Sequence, residues 1–217
     1  IIKQYAAELG IEIVGEEYVP LDSDDWTTQV AKIADVKPDF VFNTINGSSN
    51  VGFIKAYTEA GLGADNSPII SVSIAEEEAP AMGADLTGQY ASWNYFQSVE
   101  NPENEVFIKA FQDKYGADRP TSDPMEAAYV SMYLYKNMVE KAGSFCVDSV
   151  NEASDGVTFQ APEGLVTVNG DNHHIAKTGL IGQINAENQF DIVWDSGEPI
   201  EPDPYLEAYS WWNPDAE

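Results

Sequence analysis

The sequence predicts an α/β fold built on a mostly parallel sheet. Three observations carry that prediction. Strand-like apolar runs alternate with helical patterns through the first hundred residues, a helical middle follows without a strand pattern of its own, and the chain closes on a β-hairpin. Strands separated by helices of about 10–15 residues belong to sheets covered by helices on both faces.

Ile2, Tyr5, Ala6 and Leu9 recur at helical spacing, and Gly10 reads as the stop. Ile11, Ile13 and Val14 then predict a short strand. Ser23, followed by Asp24 and Asp25, is the expected cap of a second helix that carries Trp26, Val30 and Ile33 on one face. Lys37-Pro38-Asp39 ends it, and Phe40-Val41-Phe42 reads as a buried strand. Val51 to Ala60 is helical again, with Ile54 and Tyr57 on one face. Ile69 to Val72 is the next strand, a short acidic helix is expected from near Ala75, and Gln89 to Phe96 is a further strand.

In the middle, Phe107, Phe111 and Tyr115 mark an amphipathic helix from Asn101. Asp123-Pro124 opens a long helix through Lys141, closed by Gly143. Ala127, Ala128, Tyr129, Met132, Tyr133, Tyr135 and Met138 surround much of that helix, which predicts deep burial. No strand is expected between Glu100 and Ala161, so these helices are expected to pack on a sheet supplied elsewhere. Leu165 to Val168 is a strand. Leu180–Ile184 and Gln189–Trp194 flank a four-residue hairpin loop, Asn185–Asn188. The Pro- and acid-rich tail from Pro199, with Trp211 and Trp212, reads as an extended surface segment.

Composition narrows the function. The 217 residues include 10 Lys and Arg against 37 Asp and Glu, a formal net charge of −27. Such a chain repels nucleic acid and anionic membrane surfaces, because phosphate binding needs clustered cations. The acids are spread along the chain, as on a solvated surface working in salty water. No run approaches the roughly 20 apolar residues of a membrane span. Cys146 is the one cysteine, so no intrachain disulfide forms. The chain begins Ile-Ile-Lys, without an initiator Met or signal peptide, and is expected to be a piece of something longer.

No nucleophile elbow, phosphate loop or dinucleotide fingerprint is present. His173 and His174 are adjacent, and neighbours on an extended segment point to opposite sides, so they make a poor metal pair. Cys146 has no nearby basic partner. Neither catalyst nor cofactor is expected. The informative positions are strand ends, where ligands of open parallel sheets bind. Asn43, Thr44 and Asn46 follow one strand, Ser71 and Ser73 a second, and Trp93, Asn94 and Tyr95 a third. Amides and hydroxyls both donate and accept at zero net charge, and no Arg lies among them, which points to a small, neutral, polar ligand.

The stretches VFNTINGSSNVGFIKAYTEAG, SVSIAEEE, YASWNYFQSVENPEN, DPMEAAY, VEKAG, APEGLVTV and QFDIVWDS, in this order, resemble the substrate-binding proteins of bacterial urea ABC transporters. Short-chain amide-binding and branched-chain amino-acid-binding proteins are the wider kin. The resemblance implies the type I periplasmic-binding fold, two α/β lobes joined by hinge crossings. It implies that residues 1–96 and 173–217 form the second lobe, and that 97–172 form the C-terminal helical part of the first. The N-terminal portion of that first lobe is then absent from this chain. It further implies ligand contacts from Asn43–Asn46, from Ser71 to Glu76, from Trp93 and Tyr95 as walls, and from Met125 and Glu126. Asp123 is expected to cap its helix.

The function so implied is capture of urea or a short-chain amide by lobe closure, with delivery to ABC permease subunits. The implied setting is periplasmic, or extracellular and membrane-associated, without direct membrane insertion. A cytoplasmic amide sensor and a branched-chain amino-acid-binding protein are the alternatives, with Glu76 as the carboxylate an amino acid would need. An amidohydrolase is the remaining, enzymatic reading.

Overall fold

Trp26, Phe53, Ile54, Tyr57, Ile69, Leu86, Phe96, Leu180 and Phe190 converge on one apolar core, and the elements that carry them assemble around it. A computed structural model provides the structure and describes residues 1–207, Tyr209 and Trp211. Helix α1 (Ile2–Glu8) and helix α2 (Thr27–Val36) come first, then strand β1 (Val41–Asn43) and helix α3 (Ser49–Glu59). Strand β2 (Ile69–Ser71), a single 3₁₀ turn (Ala79–Met82) and strand β3 (Tyr90–Trp93) follow. Helices α4 (Pro102–Tyr115), α5 (Asp123–Ala142) and α6 (Val147–Ala153) make up the middle. Strands β4 (Thr158–Ala161), β5 (Gly164–Val168), β6 (Ile175–Ala176), β7 (Leu180–Ile184) and β8 (Phe190–Asp195) end the fold.

Two sheets result. The larger runs β1-β2-β3-β7-β8; its first three strands are parallel, and β7 and β8 are antiparallel to their neighbours. The smaller is the antiparallel β4-β5-β6. This is the type I periplasmic-binding arrangement that the resemblance implies. The chain passes between the sheets twice, first after β3 and again between β6 and β7.

Local chemistry explains the helix ends. Asn101 accepts the Glu103 N–H at 3.0 Å, Pro102 opens α4, and Gly116 closes it. Gly143 ends α5 in the left-handed conformation, with φ 63°. Phe96 stacks on Phe190 with ring centroids 4.7 Å apart, and Gly182 lies under both. A Cβ there would sit 2.8 Å from Phe96 and 2.9 Å from Phe190, so only glycine fits.

Several expectations are corrected. Ile11 to Val14 form no strand; they lie exposed, because among the described residues β1 takes a ladder partner on one side only, β2. Ser23 does not cap α2. The Trp26 indole turns into the core and donates to the Ser23 carbonyl, so the helix starts after Trp26 and Asp25 receives the Thr27 N–H. The acidic helix near Ala75 is only the 3₁₀ turn, which contains Pro80. A strand does precede Ala161, since Thr158–Ala161 is β4.

Helix α5 is not buried all round. Glu126, Val130 and Leu134 form its buried stripe, while Met132 is 66 % exposed. That stripe meets Val157, Ala161, Val166 and Val168, so α5 packs on the small sheet contained in this chain. The tail is held near its start by a bridge between Ile200 and Lys177. Trp211 stacks on Tyr209, which meets Tyr5 edge-on. Trp212 lies outside the described residues.

Candidate functional site

The parallel strands β1, β2 and β3 end on one side of the large sheet, as parallel strands must, and their polar ends meet there. Asn50, at the start of α3, ties the first two together. Its Oδ1 accepts from Asn43 Nδ2 at 3.0 Å, and its own amide donates to the Ile45 carbonyl at 2.8 Å and to Ser73 Oγ at 3.3 Å. Asn43 Oδ1 in turn accepts the Ile45 N–H. Ser71 Oγ accepts the N–H groups of Ser73 and Ile74, each at 3.1 Å. Asn43, Ser71 and Ser73 are thus buried with their side-chain groups engaged inside the protein, while Thr44 and Asn46 face solvent.

The third end is held as firmly. Trp93 is half-buried, and its indole donates to the Ile74 carbonyl at 2.9 Å. Tyr95 is fully buried; its hydroxyl lies 2.7 Å from both Asn104 Oδ1 and Thr121 Oγ1. Burial pushes the Tyr95 phenol well above its ordinary value. Asp123 does not cap α5, whose cap position is Ser122. Its carboxylate instead accepts the N–H groups of Asn94 and Tyr95, each at 3.0 Å, and so grips the first crossing.

Two carboxyls stand behind this surface. Glu76 Oε1 accepts the Gln97 N–H at 2.7 Å, and its buried Oε2 has no hydrogen-bond partner. Burial pushes its carboxyl up to about 8. Glu126, entirely buried on the first turn of α5, is also pushed up to about 8, by burial first and then by the charge of Glu163. Met125, beside it, is half-buried. Lys177 Nζ lies 2.9 Å from Glu163 Oε1 and 3.9 Å from Glu126 Oε2.

Hydrogen bonds thus link Asn43 to Ser73 through Asn50, Trp93 to the Ile74 carbonyl, and Glu76 and Asp123 to the first crossing at Gln97 and Tyr95. Thr44 and Asn46 are exposed beside the first end, and Met125 and Glu126 lie on the first turn of α5. Asn50, Gln97, Glu163 and Lys177 join these contacts without a signal in the sequence that marks them. The alternating carboxyls and amides of these stretches carry no spacing that pairs them; only the fold does. Among the described residues, no group of three or more His, Cys, Asp and Glu is arranged to hold a metal ion. His173 Nδ1 lies 3.1 Å from Ser154 Oγ, but that hydroxyl already donates to the Asn151 carbonyl, so the imidazole is no base for it.

Residues 1–210 match the family described as periplasmic binding protein domain. The chain belongs to that family. A Leu/Ile/Val-binding protein homolog of Brucella melitensis is 27% identical over 182 residues, 82% of this chain and 46% of that protein. A solute-binding protein of an ABC transporter from R. palustris, solved in complex with benzoate, superposes with a TM-score of 0.82 at 19% identity. The likeness covers 93% of this chain and 55% of that one and concerns the fold. A protein of Geobacillus stearothermophilus named limonene hydroxylase is 33% identical over 119 residues, 55% of this chain but 22% of its own length. So short a share of a longer protein brings no chemistry with it. This periplasmic binding protein chain spans about half the length of the Brucella and R. palustris proteins.

Proposed function

We propose that this periplasmic binding protein chain is part of a solute receptor that captures urea or a short-chain amide and delivers it to ABC permease subunits. The supporting observation is the chemistry of the strand ends. Thr44 and Asn46 offer uncharged, exposed hydroxyl and amide groups, no Lys or Arg lies in the three strand-end stretches, and Lys177, the cation near the third end, is engaged with Glu163. A benzoate-like anion would need such a cation; urea, with four N–H donors and one carbonyl, needs acceptors and a donor or two. Each hydrogen bond missed in a closed cleft would cost about 1–3 kcal/mol. Glu76, whose carboxyl holds its proton near neutrality, suits a neutral ligand as donor or acceptor.

Residues 1–96 together with β7 and β8 act as one lobe and 97–176 as the C-terminal helical part of the other, a boundary a few residues later than the expected 173 because β6 pairs with β5 in the small sheet, with closure rather than covalent chemistry as the working step. The place of action is periplasmic, or extracellular and membrane-associated. One observation favours a second reading. The unpartnered Oε2 of Glu76 would receive the ammonium of a branched-chain amino acid, as the name of the Brucella relative suggests for that protein.

Equilibrium dialysis against labelled urea tests the first reading. Retention of urea without release of ammonia, weakened at least about tenfold in Thr44→Ala or Asn46→Ala, a loss of about 1.4 kcal/mol, is the expected result. Urea that is not retained, or ammonia that accumulates, overturns it.

A further inference from the structure

We propose that Glu126 and Glu163 share one proton and form, with Lys177, a proton-operated latch on the junction between the two sheets. Three elements bring the groups together: Glu126 from the first turn of α5, Glu163 from the β4–β5 turn, and Lys177 from the second crossing, directly after β6. The Glu163 N–H points at Glu126 Oε1, 3.4 Å away, and Lys177 Nζ lies within 4 Å of an oxygen of each acid, 2.9 Å from Glu163 Oε1 and 3.9 Å from Glu126 Oε2, so the two carboxyls adjoin. Both side chains are at least nine-tenths buried, at 0 % and 2 % exposure.

Their oxygens pose an accounting problem. Glu126 Oε2 and Glu163 Oε2 are buried without any hydrogen-bond donor. Two ionised carboxylates cannot satisfy each other, since both only accept. One proton between them turns one acid into a donor and supplies the missing bond. The single ammonium then balances the single remaining charge, for Lys177 pairs with Glu163 Oε1 at 2.9 Å. Loss of the proton to solvent leaves two carboxylates on one lysine in a buried site.

The surroundings reinforce this. Asp123, one turn earlier on α5, adds a negative charge that acts on Glu126, Glu163 and Lys177. Glu76 lies beyond it and Glu77 binds Ser122 Oγ at 2.7 Å, so the β2–β3 connection also presents acids, while the first crossing presents the Tyr95 phenol. Lys177 is the cation that faces the pair. Both crossings adjoin the site: Asp123 holds the Asn94 and Tyr95 N–H groups, and the carbonyl of Thr178, next to Lys177, accepts from Asn94 Nδ2 at 2.9 Å. Ionisation of the pair therefore adds charge where the two crossings are tied together, whatever solute the protein binds.

The test is a carboxyl ¹³C NMR titration of glutamate-labelled protein, with Glu126 assigned from Glu126→Gln. Glu126 should titrate far above the ordinary carboxyl range. Its midpoint should fall by about one pH unit or more in Glu163→Gln, and rise in Lys177→Met. Thermal melting of Glu126→Gln, isosteric with the protonated acid, should lose part of the alkaline fall shown by the unaltered protein. A Glu126 midpoint in the ordinary range, about 4–5, overturns the latch. So does a raised midpoint that neither partner substitution moves, which would mean burial without sharing; if Glu163→Gln does not fold, Lys177→Met alone decides.

Discussion

Asn43 and Asn50 are joined by a side-chain hydrogen bond of 3.0 Å, and through it the end of β1 is fastened to the start of α3. Asn50 extends the tie to Ser73 after β2, so one amide spans the ends of two parallel strands. Asn50→Ala would leave the buried Asn43 amide without its acceptor. The expected loss is about 1–3 kcal/mol of stability, read from thermal melts. An unchanged melting temperature would show that the strand ends do not depend on this tie.

Gly182→Ala should destabilise the large sheet by about 1–3 kcal/mol, because the new methyl meets Phe96 and Phe190 side chains that are themselves stacked. Gly63→Ala is the control. A Cβ at Gly63 meets nothing within 4 Å and the backbone there is not left-handed, so melting should stay the same or rise slightly.

The pH response of Glu76 has a definite sign. Its folded carboxyl is raised to about 8, above the ordinary 4.5, so the folded chain keeps a proton that the unfolded chain has released. The stability this provides is fully present below the ordinary value and is lost as pH rises through about 8. Glu76→Gln keeps an acceptor for the Gln97 N–H and removes the titration. Its melting temperature should fall less steeply than that of the unaltered protein between mildly acidic and alkaline pH; parallel curves would contradict the assignment.

A net charge of −27 on 217 residues works against the compact state through self-repulsion. The salt bridges Lys109–Asp113 and Lys136–Glu140 are exposed and contribute little. Raising KCl from about 0.1 M to about 1 M shortens the screening length from about 10 Å to about 3 Å. Melting temperature should rise over that range, and a fall would mean that the ion pairs outweigh the repulsion.

The sequence made the alternation of β1, α3, β2 and β3 legible because each is a local pattern: an apolar run, a helical stripe, a glycine or proline stop. Ile11–Val14 has the same local pattern, yet a strand exists only through a ladder partner, and that is not a local property. Helix α5 looked buried because Met132, Tyr133 and Tyr135 are apolar or aromatic, but a small three-stranded sheet covers one stripe only. The exposed residues Thr44 and Asn46 were readable as polar groups after a strand. The grip of Asp123 on Asn94 and Tyr95, and the meeting of Glu126, Glu163 and Lys177, join distant segments and leave no spacing to read.

Calorimetric titration with urea, repeated with acetamide and leucine as competitors, tests the proposed function most directly. Micromolar or tighter binding of urea, displaced by acetamide but not by leucine, is the predicted result. Binding of leucine in place of urea would contradict it and make the Glu76 carboxyl the centre of an amino-acid site.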